Sequence, residues 1–286
     1  MAILIPLIDT VNHASALTAS PKVSQLSRDL VLLDLDKAYD ITSYWGPRPE
    51  PPAALATRYL RTIEALSALD PAFGNWHFMS EGKGTPLQGL SHADVTRLVE
   101  EGVMTADDGT PTPQMGYTMG AGNGSKPARS SVNMSVNAGN RAMVRYFINT
   151  VGLTLTPRDD EGARAIDLHL MKAAVLAIVA AWNVTYAAAY PWEMLDLWAD
   201  PGSEPEPLRP HFEMAWITYL SARFAPMVTP PPRAIASRTP DGGLLMIATE
   251  ERFDTTDPTH MAAARDIEAA FAPVNALPWP PDPTPE

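Results

Sequence analysis

Cysteine is absent from this 286-residue chain, which excludes disulfides, thiolate nucleophiles and cysteine-ligated zinc. Basic residues are the minority charge: 21 Lys and Arg stand against 33 Asp and Glu, a formal net charge of -12. Binding a phosphate backbone requires clustered Lys and Arg, so nucleic acid is not an expected partner. Basic side chains do alternate with aromatics from Arg141 to Phe147, but the overall charge opposes stacking on a polyanion. Long hydrophobic runs are missing as well. The longest apolar stretch, Leu168 to Trp182, is interrupted by His169 and Lys172, and it is shorter than the roughly 20 residues a membrane span requires. Near the start, the apolar run Ala2 to Ile8 has no positive region before it and Asp9 directly after, so it does not read as a secretory signal. The expectation is a soluble, cytoplasmic protein with no membrane partner.

Catalytic signatures are scarce too. The six histidines, His13, His77, His92, His169, His211 and His260, are dispersed, and none forms a helical zinc motif of the His-Glu-x-x-His kind. No Gly-x-Ser-x-Gly elbow supports a serine hydrolase. The glycine-rich run Gly120 to Lys126 has Pro127 where a phosphate loop needs Ser or Thr, and a strand rather than a helix should follow it; it reads as a hairpin connection. Asp159, Asp160 and Glu161 cluster, but at the start of an expected helix such carboxylates are caps. One pattern gives a competing reading. The apolar run Leu30 to Leu33 ends in Asp34-Leu35-Asp36, the opening of a metal-dependent phosphatase or hydrolase in which the first carboxylate attacks phosphorus and the second handles a proton beside magnesium. The later Ser/Thr, Lys and acidic motifs of such enzymes have no convincing counterpart here, and no catalytic, cofactor or metal residues are assigned.

What is present is a globular core. Hydrophobic residues make up 45% of the chain and charged residues 19%, the balance of an ordinary folded protein. Ala38 to Trp45 reads as a strand running into Tyr44-Trp45-Gly46-Pro47-Arg48-Pro49-Glu50, where an aromatic pair, a free glycine and a rigid proline impose a sharp turn. Pro51 and Pro52 then open a helix with Leu55, Tyr59, Ile63 and Leu66 on one face. Ser91 and Asp94 form a capping box for a second helix that buries Val95, Leu98 and Val99 and stops at Gly102. From Met115 the period becomes two, with Val132, Met134 and Val136 alternating with Ser131, Asn133, Ser135 and Asn137, the pattern of a hairpin with one wet face.

Met143 to Leu155 should hold a further strand, and the acidic cluster should open one long buried helix through Ala181. Glu213 to Ser221 is apolar on both faces, as in a central strand. A strand at Ala234 to Ser237 turns through Thr239-Pro240-Asp241-Gly242-Gly243 into Leu244 to Ala248, and Asp257-Pro258 opens a last helix. Together these predict an α+β fold, a single domain whose antiparallel or mixed sheet is packed by several helices. Its expected span is 38–277, with an N-terminal extension at 1–37 and a proline-rich tail at 278–286.

Tyr44-Trp45-Gly46-Pro47-Arg48, the helix ending at Leu69-Asp70-Pro71, and the following Trp76 resemble the opening of the immunity protein 52 family of bacterial polymorphic toxin systems. Ala215-Trp216-Ile217-Thr218-Tyr219-Leu220 is similar to that family's Gly-Trp-Met-Thr-Tyr-Leu strand, with Ala215 in place of glycine. Gly243 to Phe253 with Asp257-Pro258-Thr259-His260 is similar to its closing strand and helix. The resemblance spans Ala38 to Leu277. It implies a non-enzymatic protein that binds and neutralises a cognate toxin, of a nuclease-like, restriction-endonuclease type with a basic surface, often delivered by type VI secretion. It also makes Tyr44, Trp45, Gly46, Pro47, Arg48, Trp76, Trp216 and Tyr219 the residues expected to serve structure or partner binding. The acidic loop Glu204 to Glu206 is a further place where a basic toxin could meet the chain.

Overall fold

The strand that precedes the Trp-Gly-Pro-Arg turn lies in the interior of a ten-stranded sheet. The computed structural model describes residues 37–80, 83–123, 130–141, 149–198 and 212–277. Lys37 apart, the expected extension and the whole tail lie outside these, as do Asp34 and Asp36, His13 and His211, the 204–206 loop and residues 142–148.

In chain order the elements are β1 (Tyr39–Trp45), α1 (Pro52–Ser67), β2 (His77–Ser80), β3 (Lys83–Pro86), α2 (His92–Glu101), β4 (Tyr117–Gly122), β5 (Ser130–Ala138) and β6 (Asn149–Pro157). There follow α3 (Asp160–Ala165), α4 (Leu168–Trp182), β7 (Tyr186–Pro191), α5 (Met194–Trp198), β8 (Ile217–Leu220), β9 (Ile235–Arg238), β10 (Leu244–Ile247), α6 (Pro258–Ala270) and α7 (Ala272–Asn275). The sheet order is β3-β2-β4-β5-β6-β1-β7-β8-β10-β9. Each neighbouring pair is antiparallel, which resolves the choice between an antiparallel and a mixed sheet.

Local chemistry sets most boundaries. Leu55, Tyr59, Ile63 and Leu66 of α1 are buried. The Ser91–Asp94 capping box is formed in both directions at the start of α2. Asp257 accepts from the N–H groups of Thr259 and His260 to start α6. The expected single helix after the acidic cluster is two helices. Asp159 caps α3 through Gly162 N–H, and Asp167 caps α4 anew through Leu170 N–H, because a carboxylate that takes up a free amide at 2.8 Å starts a new helix in place of continuing the old one. Asn183, at φ 48°, ends α4 in the left-handed conformation. Gly120 and Gly122, expected in the hairpin loop, belong to β4 itself.

Alternation along β1 separates the two faces of the sheet. Trp45 points to the layer of α1, α2 and α4, where its ring stacks on Trp182 at 5.4 Å. Tyr44 points the other way and stacks on Phe212 at 6.0 Å, and Phe212 in turn meets Phe271 at 5.6 Å, at the end of α6. The helical layer therefore covers one face widely, and the second face is covered by the C-terminal helices around β7, β8 and β10, where Thr218 and Met246 are fully buried.

Candidate partner-binding surface

The Trp-Gly-Pro-Arg corner is held from several directions. Gly46 C=O accepts from Asn149 Nδ2 at 2.7 Å, and Asn149 Oδ1 accepts from Asn140 N–H at 3.0 Å. Arg48 N–H donates to Asn140 C=O at 2.9 Å. The Arg48 guanidinium lies 5.0 Å from the centre of the Trp45 ring, a cation–π arrangement, and its Nε donates to Glu50 at 2.9 Å. Glu50 also receives Arg58 Nε at 2.7 Å, while Arg58 Nη1 donates to the C=O of Ala181 in α4. One carboxylate thus ties the corner to α1 and α4.

The other motif residues are interior. Trp76 stacks on Phe73 at 6.5 Å and donates Nε1–H to Ser67 Oγ. Its short excursion from α1 keeps it near that helix's end, while Trp45 reaches Trp182. Trp216, fully buried, donates Nε1–H to Thr249 C=O. Tyr219, also buried, donates its hydroxyl to Asp241 in the β9–β10 turn. Tyr44 and Tyr186 are so desolvated that their phenols are pushed well above the ordinary range. Pro47 and Gly46 are half-buried. Of the histidines, His77 Nδ1 meets Asn75 C=O, His92 Nε2 meets Thr57 Oγ1, and His260 Nδ1 accepts Asp254 N–H. Among the described residues no three His, Asp or Glu side chains gather as a metal site.

The surface that remains open is the face of β4, β5, β6 and β1 opposite the helical layer. Register places its side chains in rows across the strands. One row runs Gly120, Ser135, Gly152, Thr42, and continues under cover as Ala188 and Thr218. No side chain in it is larger than threonine. On one flank stand Thr118, Asn137 and Thr150, with Thr118 Oγ1 donating to Asn137 Oδ1; on the other stand Gly122, Asn133, Thr154 and Asp40. Thr118 and Asn133 are exposed, and Ser135, Asn137, Gly152, Thr154 and Thr42 are half-buried. The outcome is a shallow, uncharged trough. It closes at β7, where Thr42 and Tyr190 hydroxyls share a 2.7 Å hydrogen bond.

Asp40 differs from the rest of this face. Only 8% of it is exposed. Burial raises its carboxyl to about 7, against the lowering effect of a hydrogen bond with Thr154, and Oδ1 has no hydrogen-bond partner. On the same side of the sheet, burial likewise raises Glu213 to about 7, assisted by the charge of Glu268. The wet face of the hairpin is visible in the alternation of β5, but its continuation over β6 to Asp40 is a matter of strand register, which no short-range signal carries.

The family model described as immunity protein 52 matches residues 37–276. The chain belongs to that family. No curated protein matches it. Among solved structures, the Pseudomonas aeruginosa T6SS protein PA0821 is similar at 11% sequence identity with a TM-score of 0.46, over 80% of this chain and 73% of that one. Membership of an immunity protein family gives the chain an immunity role and implies a cognate toxin as its partner. Among the described residues no helix is long and apolar enough to cross a membrane.

Proposed function

We propose that this immunity protein 52 family member neutralises its cognate toxin by stoichiometric binding in the cytoplasm of the producing cell or its kin, without chemistry of its own. The family match over residues 37–276 carries the reading. The toxin it fits best is a nuclease-like protein of restriction-endonuclease type, delivered by type VI or related secretion. A toxin surface built to attract phosphates also attracts an inhibitor of net charge -12, speeding encounter at low salt. The corner of Trp45, Gly46, Pro47 and Arg48, with Trp76, Trp216 and Tyr219, then serves to hold the scaffold that presents the binding surface.

The test is co-expression with the product of the adjacent gene. The expected result is that this product arrests growth alone, that the full chain restores growth, and that the two co-purify at a fixed ratio. Growth arrest that the chain neither relieves nor accompanies with co-purification overturns the reading.

A further inference from the structure

The open trough combines features that a sheet face exposed only to water does not need. Surfaces of soluble proteins carry roughly a quarter to a third charged residues, yet the exposed and half-buried positions of β4, β5, β6 and β1 on this side are Thr, Ser, Asn and Gly. Depletion of charge marks the centre of protein interfaces. The glycines keep the trough open. A Cβ on Gly152 would come within 3.0 Å of Ser135 Oγ, and one on Gly120 within 3.3 Å of the Met79 carbonyl. Beside Gly120 on the neighbouring strand, Met79 is 43% exposed, and methionine adapts its shape to an incoming surface.

Asp40 supplies the polarity of the partner. It stands in the same cross-strand row as Asn133 and Thr154, is more than nine-tenths buried, and leaves one carboxylate oxygen without a donor. An unsatisfied buried acceptor costs stability in the isolated protein. That cost is offset when a group with N–H donors reaches it, and a cationic donor is favoured over a neutral one.

We propose that this face is the docking surface for the cognate toxin, the trough of Gly120, Ser135, Gly152 and Thr42 taking a protruding toxin segment and Asp40 accepting a cationic side chain from it. The proposal rests on the immunity reading above. It commits to a partner that is basic at the contact and narrow enough to lie between the rows of Asn137 and Asn133.

The experiment compares the full chain with Asn133→Arg, Thr118→Arg and Asp40→Asn, using the adjacent gene's product for growth rescue and for titration of the purified pair. Asn133 and Thr118 are exposed, so arginine there reaches water without disturbing the core; having both keeps the test usable if one fails to fold. Glu64→Gln, exposed on α1, makes the same change in net charge as Asn133→Arg from the opposite layer. The expected result is that Asn133→Arg and Thr118→Arg melt like the wild type but lose rescue and weaken binding about 30-fold or more, the scale of an interface hot spot. Asp40→Asn weakens binding while melting no lower, and Glu64→Gln binds as the wild type does. If the wild type rescues growth and folded Asn133→Arg and Thr118→Arg rescue equally, the docking face is wrong and the immunity reading stands. If the wild type fails to rescue or co-purify, the immunity reading falls and takes the docking face with it. A wild-type dimer that Asn133→Arg splits would give the face to a second copy and overturn the proposal.

Discussion

The indole rings of Trp45 and Trp182 stack at 5.4 Å with 28° between their planes, joining the end of β1 to the end of α4. Both are buried, Trp45 to 3% and Trp182 to 0% exposure, and Trp182 Nε1–H is further anchored on Thr62 of α1 at 2.8 Å. Three elements meet at this pair. Trp45→Ala should therefore lower stability by about 3 kcal/mol or more, the cost of emptying a large core site. Trp45→Phe should cost markedly less, because the Trp45 indole N–H makes no hydrogen bond that phenylalanine would lose. Urea denaturation of the two variants checks both statements. Weaker toxin binding with unchanged stability would instead make the corner a contact surface.

Glu50 should be worth far more than its place in a proline-rich turn suggests. It is 11% exposed and accepts from two guanidiniums that are themselves only 20% and 22% exposed. Removing it takes the shared carboxylate away from two half-buried guanidiniums, so Glu50→Ala is expected to cost about 2–3 kcal/mol. The Arg97–Glu101 pair of α2 is the contrast, at 61% and 54% exposure. Breaking it by Arg97→Ala should cost no more than about 0.5 kcal/mol. Equal costs in denaturant titrations of the two variants would refute the bridging role of Glu50.

The elements legible in the sequence are those whose own residues specify them. Ser91 and Asp94 close a local hydrogen-bonded box, and the period-two pattern of Val132, Met134 and Val136 needs no distant partner to be seen. β7 is the opposite case. Tyr186-Ala-Ala-Ala-Tyr-Pro contains no β-branched residue and suggests no strand, yet it fills the gap between β1 and β8 with every residue buried. Alanines suit the position because α4 packs closely over it; that helix ends just upstream, at Trp182, but nothing in the alanine run itself says that it folds back over the strand. The hairpin of β2 and β3 was equally illegible, each strand being four residues long, too short for a period to register. For the open face, the polar half of β5 was readable, while Asp40 looked like any strand residue until register put it beside Thr154 and Tyr190.

Gly243 closes the turn into β10 against Tyr219. A Cβ there would stand 2.5 Å from Tyr219 Cε2 and 2.7 Å from Thr239 Oγ1, and Tyr219 is held by its hydroxyl on Asp241. Neither neighbour has room to retreat without losing a bond to Asp241, since Thr239 also donates to that carboxylate. Gly243→Ala is expected to destabilise by about 1–3 kcal/mol, the cost of overpacking. Gly109→Ala offers a control in a different setting: its φ of 82° strains any side chain, but nothing lies within 4 Å. A smaller loss in thermal melting for Gly243→Ala than for Gly109→Ala would show that the Tyr219 wall yields easily.

Asp40 sets an unusual pH dependence. Its carboxyl is raised by burial from 3.8 to about 7, and that of Glu213 from 4.5 to about 7. Between about pH 4 and pH 7 the native state therefore holds protons that the unfolded chain has released, so these two groups make stability fall as pH rises through that window. The opposite sign belongs to Asp94, Asp108, Asp254 and Asp257, each held low first by a hydrogen bond, from Ser91, Thr110, Thr256 and Thr259 respectively. Their contribution is present above the ordinary carboxylate range and is lost only as pH falls through it. The two sets together place maximum stability at mildly acidic pH. Asp40→Asn removes one of the two falling contributions, so the variant should gain on the wild type steadily from pH 4 to pH 7, by a total on the order of 4 kcal/mol at pH 8. Denaturant titrations of both proteins at pH 5 and pH 8 measure the difference directly. A variant less stable than the wild type at pH 8 would mean that the charged carboxylate is satisfied within the fold, and Asp40 would then have no unmet valence to offer a toxin.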